Sequence, residues 1–173
     1  MSTQKFAIVV AESNIDWQGR KVTGSHNGTI ALKNGALTVT DGALTGGKFT
    51  IDTRSIKILD VTDPATNTQF AGHLASADFF SSEQYPEAGF EITSVRGNHI
   101  AGNLTIRGIT KPVAFDAAVT IAGNTLTATG KVVVDRTLYG MKFRSGNFFK
   151  DLGDTLIYNE FNLDLNIMAK AVA

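Results

Sequence analysis

Apolar and polar residues alternate with a period of two along much of this chain. Over 113–121 the odd-numbered residues are all apolar, whereas the even-numbered ones include Asp116 and Thr120. Over 157–167 most odd-numbered residues are again apolar, and the even-numbered ones from 160 to 166 are polar. Strict alternation places one set of side chains on a buried face and the other in water. This one-sided pattern is typical of antiparallel sheets and predicts an all-β fold.

Short apolar runs separated by turn residues predict strands that recur roughly every 10–14 residues. The predicted strands cover residues 4–12, 20–32, 36–40, 43–53, 88–97, 99–107, 112–122, 125–134 and 155–168. Four dipeptides predict the hairpin turns between them, namely Asn34-Gly35, Asp41-Gly42, Gly97-Asn98 and Gly123-Asn124. The first two suit type I′ turns, and the last two, with Gly first, suit type II′. Gly46-Gly47 lies inside a strand and predicts a bulge or bend.

Two segments depart from the strand pattern. Asp63-Pro64 predicts an N-cap followed by Pro in the first helical turn, and Phe70 and Leu74 then fall four residues apart. We therefore expect a short helix near 64–76, with an apolar face that could cap a barrel mouth. The connection from 136 to 154 is long for a hairpin and holds several phenylalanines beside basic residues. It is interpreted either as a functional lid or as an ordinary surface excursion.

Strands with one apolar face can pack as a two-sheet sandwich or close into a barrel, and closure removes exposed edges. An eight-stranded barrel can be filled by side chains or can hold one small ligand. Periodicity does not choose between these alternatives. The aromatic residues are mostly phenylalanine, 11 against 3 Tyr and 1 Trp, which suits an apolar lining without hydrogen bonds. This composition favours a hollow barrel.

Length and charge narrow the classes of function. At 173 residues the chain fits one domain, 1–173. Lys+Arg and Asp+Glu are equal at 16 each, so no net positive field attracts nucleic acid, and no nucleic-acid partner is expected. The apolar run 6–11 is too short for a secretory signal or a transmembrane span. We therefore expect a cytoplasmic protein without a transmembrane segment, or a periplasmic one if a leader has been removed.

Motifs of catalysis or metal binding do not stand out in the sequence. There are no cysteines, and His26, His73 and His99 lack the spacing of a zinc site, so we expect no metal and no cofactor. The sequence also lacks a Gly-x-Ser-x-Gly nucleophile elbow. An alternative to a hollow barrel that only binds a ligand is a small-molecule hydrolase or isomerase that uses His26 or His73 with Asp52 or Asp135. A third alternative is a filled barrel that serves as a protein-interaction module.

Six motifs in chain order carry a resemblance to a known family. They are Trp17-x-Gly19-x-Lys21-Val22-x-Gly24-x-His26-x-Gly28, Gly46-Gly47-x-Phe49-x-Ile51-Asp52, His73-Leu74-x-Ser76-x-Asp78-Phe79-Phe80, Tyr85-Pro86 with Phe90, Gly102-x-Leu104-Thr105-Ile106-Arg107-Gly108-Ile109-Thr110-Lys111-Pro112, and Asp135-Arg136-x-x-x-Gly140-Met141. Over about residues 5–168 the chain resembles the YceI-like family of bacterial polyisoprenoid-binding proteins. The resemblance implies an extended, lipocalin-like, eight-stranded antiparallel barrel that holds a long isoprenoid or other amphiphilic chain.

On this basis we expect a carrier or store of a polyisoprenoid, isoprenoid quinone or related lipid, and not an enzyme. The residues expected to line or gate the lumen are Trp17, Phe49, Ile51, Phe70, Leu74, Phe79, Phe90, Leu104, Ile106 and Phe115. For each of them plain core packing is the competing interpretation. Arg136 and His26 are the candidates for contacts with a polar head group, against a purely structural hydrogen-bonding role. We also expect a homodimer.

Overall fold

A computed structural model describes residues 2–21, 24–76, 79–141 and 157–172. Within these ranges the chain forms one antiparallel sheet of nine strands. The strands are β1 Thr3–Ile8, β2 Asn14–Lys21, β3 Gly24–Thr40, β4 Ala43–Ile58, β5 Glu87–Arg96, β6 His99–Ile106, β7 Ile109–Ala122, β8 Thr125–Asp135 and β9 Ile157–Ala171. They pair in the order β1-β3-β2-β9-β8-β7-β6-β5-β4, and β4, the last strand of this order, also pairs with β3, which closes the sheet. The sheet is therefore a closed barrel.

The first two strands share one position in this barrel. Both lie between β3 and β9: Phe6 of β1 is opposite Leu37 and Ala171, and Ile15 of β2 is opposite Ile30 and Leu165. A single 3₁₀ turn at 10–12 separates them. Because β1 and β2 act as one interrupted strand, the barrel has eight strand positions. This confirms the predicted eight-stranded antiparallel barrel.

Alternation along the strands builds the interior, as predicted. In β6 the even-numbered residues from Ile100 to Ile106 are buried, while the odd-numbered ones between them are partly exposed. Over 113–121 the odd-numbered apolar residues face inward, whereas the even-numbered residues, Asp116 and Thr120 among them, are exposed. The filled end of the barrel is packed around Phe6 and Leu126, both 0% exposed. Full burial of such a side chain contributes about 1.5–3 kcal/mol to stability.

Three of the four predicted turns are confirmed. Asp41 and Gly42 both have positive φ, 51° and 82°, as a type I′ turn requires. Gly97 and Gly123 also have positive φ, 60° and 59°, between paired strands. Near Gly46-Gly47 the register of β3 and β4 shifts, so the expected bulge is confirmed.

The turn predicted at Asn34-Gly35 is wrong, because β3 runs unbroken through it. Gly35 is paired with Phe49 of β4, and a Cβ on Gly35 would lie 2.5 Å from the Cβ of Phe49 and 2.6 Å from Cδ1 of Ile8. The glycine therefore serves close packing inside the barrel, which a dipeptide rule cannot distinguish from a turn.

The strand bounds predicted near the amino terminus are also wrong. The predicted strand 4–12 ends at Ile8, because the chain turns at 10–12 to step into β2. The predicted strand 20–32 includes the end of β2, the start of β3 and residues 22–23, which lie outside the described residues. Strand β2 itself was missed over 14–19.

Helix α1, Pro64–Ala75, confirms the predicted helix. Oδ2 of Asp63 accepts hydrogen bonds from the Thr66 backbone N–H at 3.0 Å and from its hydroxyl at 2.6 Å. Proline occupies the first turn, where its missing N–H costs nothing. None of the helices in the described residues has the length and hydrophobicity of a membrane span.

Candidate ligand-binding cavity

The end of the barrel next to α1 is hollow. A cavity of about 410 Å³ lies there, within the range of small-molecule sites. Strand β2 contributes Ile15 and Trp17 to its wall, and β9 contributes Phe161 and Leu163. These residues are two apart on their strands, so they point to the same side. At this end of the barrel the inward-facing residues surround open space, whereas at the other end they fill the interior.

Helix α1 turns one face to the cavity. Thr66, Gln69, Phe70, His73 and Leu74 all line it, at the spacing of three and four residues that marks one side of a helix. None of the helical residues is fully buried. The helix therefore covers the cavity as expected of a cap, with space rather than packed core beneath it.

Nine of the twelve residues expected at the binding site lie on the cavity wall. They are Trp17, His26, Ile51, Phe70, Leu74, Phe79, Leu104, Ile106 and Arg136. Strands β2, β3, β4 and β6, helix α1 and the segments after α1 and β8 bring them together. That they contact a ligand stays a prediction.

The structure places the other three, Phe49, Phe90 and Phe115, outside the cavity wall. The rings of Phe49 and Phe90 are 5.6 Å apart between centroids, and those of Phe90 and Phe115 are 5.8 Å apart. These contacts form an aromatic row across the interior, which we call the phenylalanine row. Both Phe49 and Phe90 are less than 10% exposed.

Polar residues surround the opening. Arg20 of β2, Glu160 of β9, and Thr66 and Gln69 of α1 are exposed and contribute to the wall. The cavity is therefore apolar inside and polar at its rim. Such a site suits an amphiphile, because the tail leaves water while the head remains in contact with it.

His26 ties the helix to the barrel. Its Nδ1 lies 2.8 Å from Oδ2 of Asp60, and the Asn27 backbone N–H donates to the other carboxylate oxygen at 3.1 Å. Its ring meets the ring of Phe70 edge to face, 4.6 Å between centroids. Burial alone would raise the pKa of Asp60, but the hydrogen bonds from Asn27 and His26 and the charge of His26 lower it overall.

The carboxylates of the enzyme hypothesis accept hydrogen bonds from groups two residues further along the chain. Oδ1 of Asp52 accepts a hydrogen bond from the Arg54 backbone N–H at 2.9 Å. Oδ1 of Asp135 accepts from the backbone N–H and the hydroxyl of Thr137, at 2.9 and 2.6 Å. The carboxylate that faces His26 is Asp60, which the sequence did not single out.

Arg136 brings a positive charge to the cavity wall. It is 3% exposed, its Nη1 donates to the Met141 carbonyl at 2.6 Å, and its guanidinium lies 5.7 Å from the ring centre of Phe79. Burial lowers the pKa of Arg136, and the nearby charge of Asp135 opposes this effect. A guanidinium stays protonated in proteins, so it can only donate hydrogen bonds. Its chemistry suits a ligand oxygen.

The sequence profile of the YceI-like domain matches residues 6–169. This match covers nearly the whole barrel, from β1 to β9. The chain belongs to the YceI-like family. The family resemblance seen in the six sequence motifs is thereby confirmed.

Curated relatives of this YceI-like chain match it over part of their length. Protein YceI of Escherichia coli is 35% identical over 82 residues, which are 41% of this chain and 43% of the relative. A UPF0312 protein of Pseudomonas putida is 29% identical over 109 residues, 60% of this chain and 54% of the relative. The chain thus matches about half the length of these relatives.

Solved structures share the fold of this YceI-like barrel. BcnA of Burkholderia cenocepacia has a TM-score of 0.70 at 20% identity, covering 94% of this chain and 99% of its own. A polyisoprenoid binding domain from Saccharophagus degradans, implicated in plant cell wall breakdown, has a TM-score of 0.73 at 12% identity, covering 96% and 98%. At these identities the likeness establishes the fold.

Sequence reasoning missed other parts of the YceI-like cavity wall. Ile15 and Ile30 share the parity of Trp17 and His26, so extending the alternation by one step from Trp17 and by two steps from His26 would have found them. Met141 follows β8 and carries no such pattern, so only the tertiary structure places it. The predicted lid lies outside the described residues over 142–154.

Proposed function

We propose that this YceI-like barrel binds a long-chain amphiphile, a polyisoprenoid, isoprenoid quinone or related lipid, and carries or stores it. The tail occupies the cavity, and the polar head lies toward the rim. The observation that carries this proposal is the apolar cavity of about 410 Å³ under a polar opening. Each methylene that leaves water for this wall contributes about 0.8 kcal/mol to binding.

The ligand class has support from a structural neighbour. The Saccharophagus degradans protein is described as a polyisoprenoid binding domain, and its fold matches this chain over 96% of its length. The apolar wall formed by Ile51, Leu104 and Ile106 suits a hydrocarbon tail. Apolar side chains do not distinguish one such tail from another. We therefore extend the ligand class to this chain and leave the choice among prenyl lipids to experiment.

Two polar groups are the proposed contacts of the head. The Arg136 guanidinium donates hydrogen bonds to carbonyl, hydroxyl or phosphate oxygens. His26 lines the same cavity and is oriented by Asp60. In this proposal both residues orient the ligand and neither performs chemistry. The hydrogen bond between His26 and Asp60 supports this role, because it fixes the orientation of the imidazole where α1 meets the barrel.

The test combines co-purification with a blocked cavity. Ala88 is 6% exposed and lines the cavity, whereas Ala118 is exposed on the outer face of β7. We expect Ala88→Phe to fill the cavity and lose binding, and Ala118→Phe to bind like the parent chain. Native mass spectrometry detects co-purified lipid, and the fluorescence of Trp17, the single tryptophan of the sequence, follows titration with geranylgeraniol.

A parent chain that carries no lipid and whose Trp17 fluorescence ignores geranylgeraniol contradicts the carrier proposal. Equal binding by Ala88→Phe and Ala118→Phe places the ligand elsewhere. Turnover of an ester or prenyl substrate that disappears in His26→Ala, with the fold intact, indicates the hydrolase or isomerase instead.

A further inference from the structure

We infer that the phenylalanine row, Phe49, Phe90 and Phe115, is the floor of the cavity and sets the length of tail that the barrel accepts. This inference rests on the proposed function, because it concerns the same ligand. It assigns to the three phenylalanines a role in specificity, although they lie outside the cavity wall.

Strand register places the row directly below the cavity. Ile51 of β4 is opposite Ala88 of β5, and both line the cavity. The next pair on the same face is Phe49 with Phe90, two residues along each strand. Two residues of a strand span about 7 Å, so this pair lies one side-chain layer deeper in the barrel. The cavity therefore ends at the layer of Ile51 and Ala88, and the rings of Phe49 and Phe90 form the layer directly beneath it.

The third ring extends the row across the barrel. Phe115 of β7 is 5.8 Å from Phe90, measured between ring centroids. The row therefore spans β4, β5 and β7. Strand β6 lies between β5 and β7 in the barrel wall, behind the rings. Three rings side by side across the barrel block the interior more fully than one side chain from a single strand.

Two inward-facing glycines make room for the rings. A Cβ on Gly102 of β6 would lie 2.5 Å from Cζ of Phe90, and a Cβ on Gly130 of β8 would lie 3.3 Å from Cδ2 of Phe115. Both glycines share the inward parity of their strands. Because they carry no side chain, the rings can lie over these strands and reach into the interior.

Beyond the row the described residues fill the barrel with buried side chains. Phe6, Leu126 and Ala169 are all 0% exposed there, and Leu126 is directly opposite Ala169 in the β8–β9 pairing. Packed protein interiors hold no path for a chain. A tail that reaches the row must therefore stop or turn back toward the opening.

The cavity volume sets the length. About 410 Å³ accommodates roughly 14 non-hydrogen atoms at about 30 Å³ each, the share of one water molecule in the liquid. Tails of up to about that number of carbons fit wholly within the cavity, and the longer tails of the proposed prenyl lipids extend past the rim.

A homologous series of single-chain alcohols, from octanol to docosanol, measures this limit through the Trp17 fluorescence. We expect affinity to rise about fourfold with each added methylene and then to level off once the tail reaches the row. The position of this plateau is the quantity that the floor determines.

Two substitutions lower the floor by removing carbons from it, and a third substitution serves as the matched control. Phe90→Leu and Phe115→Leu each remove about three carbons from the row, so the plateau should move to alcohols longer by about three methylenes. Phe6→Leu makes the same change in the filled end of the barrel and should leave the plateau where it is. Thermal unfolding of each variant identifies any that fails to fold, and the second floor variant then carries the comparison.

The outcomes separate the two proposals. A parent chain that binds none of the alcohols overturns the proposed function and the floor with it. A parent chain whose affinity keeps rising to docosanol overturns the floor alone. The floor is also overturned if the folded floor variants keep the parent plateau, or if Phe6→Leu shifts it equally.

Discussion

Single glycines decide how closely the strands of this barrel approach. A Cβ on Gly28 would lie 1.7 Å from the Lys57 carbonyl oxygen and 2.8 Å from Cζ2 of Trp17. Gly28 is therefore the place where Trp17, a residue of the cavity wall, packs against the neighbouring strand. Substitution there affects both the β3–β4 ladder and the wall.

We expect Gly28→Ala to lower the free energy of unfolding by about 3 kcal/mol, because the backbone must move away from the new methyl group. The matched control is Gly72→Ala in α1, where nothing lies within 4 Å of the added Cβ. That substitution should raise stability by about 0.5–1 kcal/mol through helix propensity. Urea unfolding of both variants measures the difference, and equal effects would contradict the close packing at Gly28.

Residue patterns in the sequence were informative where the cause was local. The positive φ of Asp41-Gly42 and the N-cap at Asp63 follow from the chemistry of adjacent residues, and both were predicted correctly. Asn34-Gly35 carries the same local chemistry but serves the packing of Phe49 from another strand. Packing against a residue that is distant in sequence cannot be predicted from the identity of two adjacent residues.

At the scale of elements, hydrogen bonds from polar side chains hold α1 in position more than buried surface does. Nδ2 of Asn67 donates to the carbonyls of Ile58 and Val61, both at 2.9 Å, and so fixes the helix to the end of β4. The helix contributes no fully buried residue. Its position over the cavity is therefore sensitive to the loss of a few hydrogen bonds.

We expect Asn67→Ala to lower the free energy of opening of α1 by about 1–2 kcal/mol, the value of two hydrogen bonds. The control Thr68→Ala removes one hydroxyl that bonds to Pro64 within the helix, and it should change little. Hydrogen exchange of the amides over 64–75 measures the opening. Similar exchange in the two variants would show that the cap is held by other contacts.

The cavity makes the whole molecule asymmetric. Leu126 lies in the filled end at 0% exposure, whereas Leu104 is 4% exposed and borders the cavity. Removing a buried side chain costs its transfer energy plus the energy of the void that remains. A void beside existing open space adds less of the second component.

Leu126→Ala should therefore lower the free energy of unfolding by about 4 kcal/mol and Leu104→Ala by about 2 kcal/mol. Denaturant unfolding of the ligand-free protein measures both. A larger loss for Leu104→Ala would contradict a hollow end. The expected homodimer also belongs to this scale and stays a prediction, which light scattering in solution can measure.

The sequence by itself determined the all-β class, the helix, most turns and, through its motifs, the family. These features arise from neighbours along the chain, where alternation and turn chemistry act. Only the tertiary structure decided that the barrel is hollow at one end, that β1 and β2 share one position, and that Phe90 lies below the cavity instead of on its wall. Those outcomes depend on which strands meet across the barrel, and inward-facing residues look alike in sequence whether they meet a neighbour or open space.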